Sequence, residues 1–431
     1  MTVAIVGAGV AGLAASIYLK RSGQDVHVFE RAPTLEAIGS GIMLQPSGMA
    51  VLKDLGLLDE CLRKGAPLKG VLGTSPLSGR VILDTRYEHW KPGAHGLGIH
   101  RSILLKVLYE EAKRCGVRFR FGVEVSDFSS ASKVKLSVTE RALTPHTTAA
   151  VMEVLSDDQI GADEYDALIL ASGRSSTLQY KAPIHHRSSP YKWGALWATL
   201  ELPESLNEPV LRQWYNQSHQ MFGILPIGES VNSTKRLCSL FWSRPVESDS
   251  SLFGVDGTLE SWKQKVRALV GTVADPLLEQ LQSEDQFALA TYTDIEMPAW
   301  HYDRVLAIGD CAHSMSPQLG QGANMGLVDA RAIAQAVGKS SAVHWPAIFS
   351  KYSEWRREHL GYYQSASRHL TPLFQSSSSI TPLIRDMALL AAQHVGFVRK
   401  HAATTLIGGR TGWILSNESQ VPLHFWDGTA P

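Results

Sequence analysis

The stretch from Thr2 to Glu30 constrains this chain more than any other. Thr2-Val-Ala-Ile-Val6 is a short apolar run, and Gly7-Ala-Gly9-Val-Ala-Gly12 follows it at once. Val10, Leu13, Ala14, Ile17 and Tyr18 then recur with the spacing of one helix face. Gly23 ends that helix, and Asp25-Val-His-Val-Phe-Glu30 reads as a second strand. Strand, glycine turn, helix and strand in this order are the setting a dinucleotide fingerprint requires. Gly7 permits the tight turn, Gly9 lets a pyrophosphate approach the backbone, and Gly12 allows the helix to pack closely on the strand. The helix N-terminus at Val10 and Ala11 offers unpaired N–H groups to phosphate charge. Glu30, with Arg31 beside it, is placed to accept hydrogen bonds from the ribose hydroxyls of an adenosine. The fingerprint serves FAD and NAD alike.

A second signal lies far downstream. Arg304-Val-Leu-Ala-Ile308 has a buried-strand pattern, and Gly309-Asp310-Cys-Ala-His313 follows it. Ser316-Pro-Gln-Leu-Gly320-Gln-Gly322-Ala-Asn324-Met-Gly326 then leads into an alanine-rich helical stretch, Leu327 to Val337. Gly309 to Ala330 resembles the second flavin motif of the single-component FAD-dependent monooxygenases. That family includes salicylate, 4-hydroxybenzoate and ubiquinone-pathway hydroxylases. The resemblance implies an α/β fold: a Rossmann-like FAD-binding domain, an inserted β-rich substrate domain and a helical C-terminal segment.

It also implies non-covalent FAD, with NADPH or NADH as co-substrate and O2 as the second substrate. Asp310 would hold the ribityl hydroxyls, and the Pro317 to Gly322 loop, with Gly320, would lie beside the isoalloxazine. The helix expected to start near Ala323 would stabilise negative charge on reduced flavin through backbone groups at Ala323, Asn324 and Met325. The resemblance extends to Gly39-Ser-Gly41-Ile42, a loop passing the flavin, and to His100-Arg101-Ser102, whose arginine would contact FAD. His313 reads as a packing or capping residue.

One motif departs from the pattern. Asp166-Ala-Leu-Ile-Leu-Ala171 leads into Ser172-Gly173-Arg174-Ser-Ser176-Thr-Leu-Gln179. The family carries an acid where Ser172 stands and an arginine where Gln179 stands, which removes one anchoring charge and one phosphate-binding fork. Reduction by the nicotinamide is the step this change bears on, and Arg174 is a candidate replacement cation.

At 431 residues the chain exceeds one ordinary core. The expected division is a discontinuous FAD-binding domain over 1–70, 100–180 and 290–345, a β-sheet substrate domain over 71–99 and 181–289, and a helical segment over 346–431. Strand patterns in the substrate region run from Gly194 to Leu202, Leu211 to Tyr215, Gln220 to Ile227 and Arg236 to Trp242. Pro372 and Pro382 read as the bounds of a loop containing Ser376 to Ser379. Forty-one basic residues balance forty-one acidic ones, which points to neither nucleic acid nor an acidic membrane surface as a partner. Four scattered cysteines, Cys61, Cys115, Cys238 and Cys311, show neither a metal-ligand spacing nor a disulfide framework. A strand starting at Thr2 leaves no room for a leader peptide, and the expected location is cytoplasmic. No apolar stretch reads as a membrane span: the best candidate, Leu383 to Ile407, carries Arg385, Asp386, Arg399 and Lys400 and reads as one or two amphipathic helices.

Aromatic residues concentrate in the middle of the chain. Tyr215 and Phe222, by position in the sheet expected to cover the flavin, with Gln213 and with Pro317 of the flavin loop, are the candidates for contact with a small aromatic or quinone-like substrate, and Tyr215 is the candidate catalytic side chain. The chemistry the family performs asks little of side chains: NAD(P)H reduces FAD, oxygen adds at flavin C4a, and the hydroperoxide passes one oxygen atom to the substrate. The rivals are an oxidase, dehydrogenase or epoxidase on the same scaffold, or a non-catalytic nucleotide-binding escort protein. A flavin halogenase is disfavoured, because Trp193-Gly-Ala-Leu-Trp197 does not match that family's signature.

Overall fold

In a computed structural model, the structure describes residues 1–36, 41–75, 79–140, 151–152, 164–246, 252–253, 257–338, 343–378 and 380–413. Of the loop expected beside the flavin, Gly39 and Ser40 lie outside the described residues.

Thr2–Val6 is buried from Val3 onward, as a central parallel strand covered on both faces must be. It pairs in parallel with Asp25–Glu30 on one side and Ala167–Leu170 on the other. Arg118–Phe121 extends the sheet beyond Asp25–Glu30, and Val305–Ala307 extends it beyond Ala167–Leu170, both in parallel. The short strand His301–Tyr302 closes that end antiparallel. The strand order is thus that of a doubly wound nucleotide-binding sheet, with its carboxyl ends at Val6, Glu30, Leu170 and Ala307 along one edge.

The second large sheet has seven strands in the order Ala288–Ala290, Trp193–Glu201, Ser233–Pro245, Gln220–Ser230, Leu211–Asn216, Gly70–Ser75 and Arg80–Arg86. Both of its faces are apolar. On one, Trp214, Phe222 and Trp242 pack with Trp262 of the helix Leu259–Val270. On the other, Tyr215, Met221 and Phe241 pack with Phe374 from the C-terminal segment. A small sheet of Gly41–Leu44, Gly96–His100 and Ala66–Leu68 links the two large ones.

The C-terminal segment forms three helices, Trp345–Phe374, Thr381–Ala392 and Gly396–Leu406. Pro372 does not bound a loop: it lies inside the first of these, in its last turn. Near a C-terminus a proline interrupts the hydrogen-bond ladder where only one more turn depends on it. Residues 414–431 lie outside the described residues.

Candidate active site

The site begins at the glycine turn. Gly7 has φ +108°, and its N–H donates to Phe29 O at 2.8 Å. A Cβ there would collide with the carbonyl of Ala171, so the turn admits only glycine. A methyl at Gly9, by contrast, would meet no protein atom within 4 Å. That open space lies at the N-terminus of the helix Val10–Arg21, which has no acidic residue in its first turn and no side-chain cap. Both features suit a phosphate.

Gly9, Val10 and Ala11 line one end of a cavity of about 950 Å³. Arg31, Gly41, Ile42 and Arg101 line it as well. Gly7 and Gly12 stand behind this lining, where they set the backbone path. Glu30 does the same through its carboxylate, which accepts the N–H of Ala8 at 2.8 Å and of Ala32 at 2.9 Å. It braces the turn, and its remaining lone pairs are what a ribose could use.

Asp310 faces the same end of the cavity from the far side. Gly309, with φ +64°, swings the chain so that the Asp310 side chain is exposed. The Gly309 N–H donates to Asp329 Oδ2 at 2.9 Å, and this carboxylate also takes His313 Nε2 at 2.6 Å and Arg356 Nε at 2.8 Å. Burial alone would raise the Asp329 pKa, but His313, Arg356 and the Gly309 N–H hold it well below the carboxylate range. Arg356 contacts His359, whose Nε2 stands 2.9 Å from Gly408 O. Burial and the Arg356 cation hold His359 down at about 3. This buried chain ties the Asp310 turn to the C-terminal segment. His313 is therefore a packing residue, and Asp329, Arg356 and His359 are supports that sequence reading did not single out.

The helix expected near Ala323 runs Gly322–Val337. Gly322, Ala323, Pro317 and Gly320 line the cavity. Two residues expected at the flavin do not. Met325 is fully buried and its N–H already donates to Gln321 O at 2.8 Å, so the free backbone donors of this helix are its first three, at Gly322, Ala323 and Asn324. The Asn324 side chain is turned inward: Oδ1 accepts the Gln45 N–H at 2.8 Å, and Nδ2 donates to Met43 O and Gly320 O. It welds the loop to the strand Gly41–Leu44.

The departing motif separates into two environments. Ser172 lines the cavity, and its buried hydroxyl has no hydrogen-bond partner. Gln179 is 1% exposed, away from the cavity lining, with both amide atoms unpartnered. Arg174 lines the cavity, so a cation is present there despite the change at 179.

Register decides the aromatic end. Tyr215 pairs with Met221 and Trp214 with Phe222. Directly opposed residues share a face, so Tyr215 and Met221 line the cavity while Phe222 faces the Trp262 core. The expectation that Phe222 meets substrate is corrected: it follows Trp214, not Tyr215. The Tyr215 hydroxyl donates to Gln213 Oε1 at 2.5 Å, and Gln213 also lines the cavity. Burial pushes the Tyr215 phenol up, so it stays protonated near neutrality. The remaining wall comes from Leu370, Leu373 and Phe374 of the long C-terminal helix. Leu373 and Phe374 follow Pro372, where the sequence reads as a loop, and nothing in the sequence says which sheet they cover.

The residues fit FAD. An unfilled glycine cradle, three guanidinium groups (Arg31, Arg101 and Arg174), the Asp310 carboxylate and a side-chain-poor loop line one connected space. At about 950 Å³ that space is near the upper end of ligand sites, about 300–1,000 Å³.

A family model described as FAD binding domain matches residues 1–359. The chain is 27% identical over 410 residues to 3-amino-4-hydroxybenzoate 2-monooxygenase of Streptomyces cremeus, covering 91% of this chain and 92% of that protein. It is 28% identical over 335 residues to 6-methylpretetramide 4-monooxygenase of Streptomyces rimosus, covering 76% of this chain and 73% of that protein. The crystal structure of Klebsiella pneumoniae HpxO complexed with FAD and uric acid shares its fold, with TM-score 0.74 at 18% identity, over 96% of this chain and 98% of that one.

Proposed function

This chain belongs to the FAD-binding-domain family of flavoprotein monooxygenases, and from that premise we propose that it uses NADPH or NADH and O2 to hydroxylate a small aromatic or quinone-like substrate. One observation carries the reading: the glycine cradle and Asp310 open into the same cavity as Tyr215 and Gln213. A nucleotide fold alone would need no aromatic-walled extension. The relatives' printed activities, on an aminohydroxybenzoate and on 6-methylpretetramide, support an aromatic substrate.

Bound FAD supplies hydride acceptance and oxygen activation. The chain supplies the rest. Arg31, Arg101 and the first helix hold phosphate charge, and Asp310 holds hydroxyl groups of the ribityl chain. The free N–H groups at Gly322, Ala323 and Asn324 stabilise negative charge that develops next to them. Tyr215, kept as a phenol, orients rather than deprotonates. Its hydroxyl is committed as a donor to Gln213 Oε1, which leaves its oxygen to accept from a substrate hydroxyl. Leu83, Met221, Phe241 and Leu373 keep water from the reacting atoms.

The test is oxidation of NADH and NADPH by the purified holoenzyme across a panel of phenols, aminobenzoates and quinones, with oxygen-isotope incorporation read by mass spectrometry. Substrate-stimulated nicotinamide oxidation with one labelled oxygen in the product is expected. Flavin reduction by substrate alone, with no response to either nicotinamide, would replace this reading with an oxidase or dehydrogenase. The specific observation behind that second reading is Ser172, a neutral hydroxyl in the cavity wall where the resembled family carries an acid.

A further inference from the structure

The helix Thr381–Ala392 exposes an apolar face. Its inward side carries a cation beside Pro382 and Leu389: Arg385 is 2% exposed and donates to Gln217 O and Leu373 O while pairing with Asp386. Its outward stripe is apolar, with Ile380, Leu383, Ile384 and Met387 at helical spacing and Met387 73% exposed. After Val395 the next helix, Gly396–Leu406, also exposes apolar residues in its first turn, Phe397, 73% exposed, and Val398. Among the described residues fifteen large hydrophobic side chains are exposed, and seven of them fall between 380 and 398. Scatter of single apolar residues is ordinary on protein surfaces, but such clustering marks an interaction face.

Charge identifies what the face suits. The whole chain is balanced, forty-one basic residues against forty-one acidic. Between 376 and 413 the only acid is Asp386, and it is paired with Arg385. Arg399 and Lys400 stand exposed directly after Val398. Apolar side chains beside the exposed cations Arg399 and Lys400 fit the headgroup and acyl boundary of an anionic bilayer. A second copy of this chain would bring two positively charged faces together. No helix among the described residues is long and apolar enough to cross a membrane, so the contact is interfacial. The inner sides of the same two helices, at Leu389, Ala402 and Leu406, line the cavity.

We propose that the consecutive helices Thr381–Ala392 and Gly396–Leu406 dock this protein on an anionic lipid surface, with Ile384, Met387 and Phe397 entering the interface and Arg399 and Lys400 meeting lipid phosphates. The experiment is flotation of the holoenzyme with vesicles of phosphatidylcholine, with and without phosphatidylglycerol. Wild type is expected to float with the phosphatidylglycerol vesicles and to lose most of that binding at high salt. A Met387→Glu/Phe397→Glu variant should bind at least about tenfold more weakly, since it removes buried apolar area and adds like charge to that of the lipid. Arg399→Glu/Lys400→Glu should erase the preference for phosphatidylglycerol. Retention of FAD absorbance by each variant establishes that it is folded. Absence of wild-type flotation with either vesicle, or equal flotation of the Met387→Glu/Phe397→Glu variant, overturns the proposal. So does a wild-type dimer that this variant splits while neither form floats, which would assign the face to a second copy.

Discussion

The two ends of the cavity are built by different means. At the nucleotide end, backbone geometry does most of the work: Gly7 at φ +108°, the open position at Gly9, the start of a helix, and Gly309 turning Asp310 outward. At the aromatic end, side chains from distant segments meet: Tyr215 and Met221 from one hairpin, Phe241 from the next strand, and Leu370, Leu373 and Phe374 from the C-terminal helix. The first kind of site is written in short contiguous motifs. The second depends on register and on where a late helix docks. An end built from backbone should tolerate little change in its turns, whereas one built from side chains should let affinity for substrate be altered without loss of the cofactor.

Substitutions on the two faces of the seven-stranded sheet give the largest expected effect. Phe222→Ala opens the Trp262 core and should destabilise the fold by about 3–5 kcal/mol, with KM for the aromatic substrate unchanged in the surviving protein. Chemical denaturation beside steady-state kinetics separates the two. A large rise in KM at unaltered stability would return Phe222 to the substrate face and break the comparison.

Next is Asp310→Ala, which removes a charge-assisted hydrogen bond worth about 1.5–3 kcal/mol. FAD should bind about ten- to hundredfold more weakly, and the flavin-free protein should melt as wild type does. Equal FAD affinity, measured by flavin fluorescence, would show that the carboxylate is not a cofactor contact.

Tyr215→Phe should act only at the other end. It removes the hydroxyl that donates to Gln213 and should weaken substrate binding by about 1 kcal/mol, roughly fivefold, with FAD affinity unchanged. A matching loss of FAD would mean that the two ends are not separable.

The smallest effect joins the ends through the buried supports. His359 is held at about 3 against an ordinary 6.5, so its neutral form is favoured in the folded state. Stability from this source is full above about pH 6.5 and falls as pH drops toward 3, because the unfolded chain takes up the proton first. Asp329, held below the ordinary carboxylate value of 3.8, adds a further loss that begins below about pH 3.8. Between pH 7 and pH 6 the His359 contribution should decline by under about 1 kcal/mol. His359→Gln should flatten that slope, as read by thermal melts across the range. An unchanged slope would place the pH dependence elsewhere.

What the sequence made legible follows the same division. The fingerprint at Gly7, Gly9 and Gly12 and the Gly309 to Gly322 run are local, and a local motif carries its own backbone geometry. Met325 was out of reach for a narrow reason: a helix that starts at Gly322 rather than Ala323 moves the last free N–H back by one residue. Phe222 was misplaced because alternation along a strand says which residues share a face, not which face meets the flavin. The pairing of Tyr215 with Met221 settles that, and it rests on a hairpin turn in which Gln217 has φ +56°. Asp329 and Arg356 carry no pattern as a pair, since they are 27 positions apart and meet only when the long C-terminal helix packs on Gly322–Val337. The inward Arg385 was legible only as a charge interrupting an apolar stretch.

The central claim is that the glycine cradle and Asp310 hold FAD at one end of a cavity that also serves the substrate. Its most direct test is titration of flavin-stripped protein with FAD, followed by absorbance and by quenching of flavin fluorescence. Saturation at one FAD per chain is expected, with the flavin released into the supernatant by acid precipitation and its spectrum perturbed when an aromatic ligand is added. A folded protein that stays colourless at every FAD concentration would contradict the account.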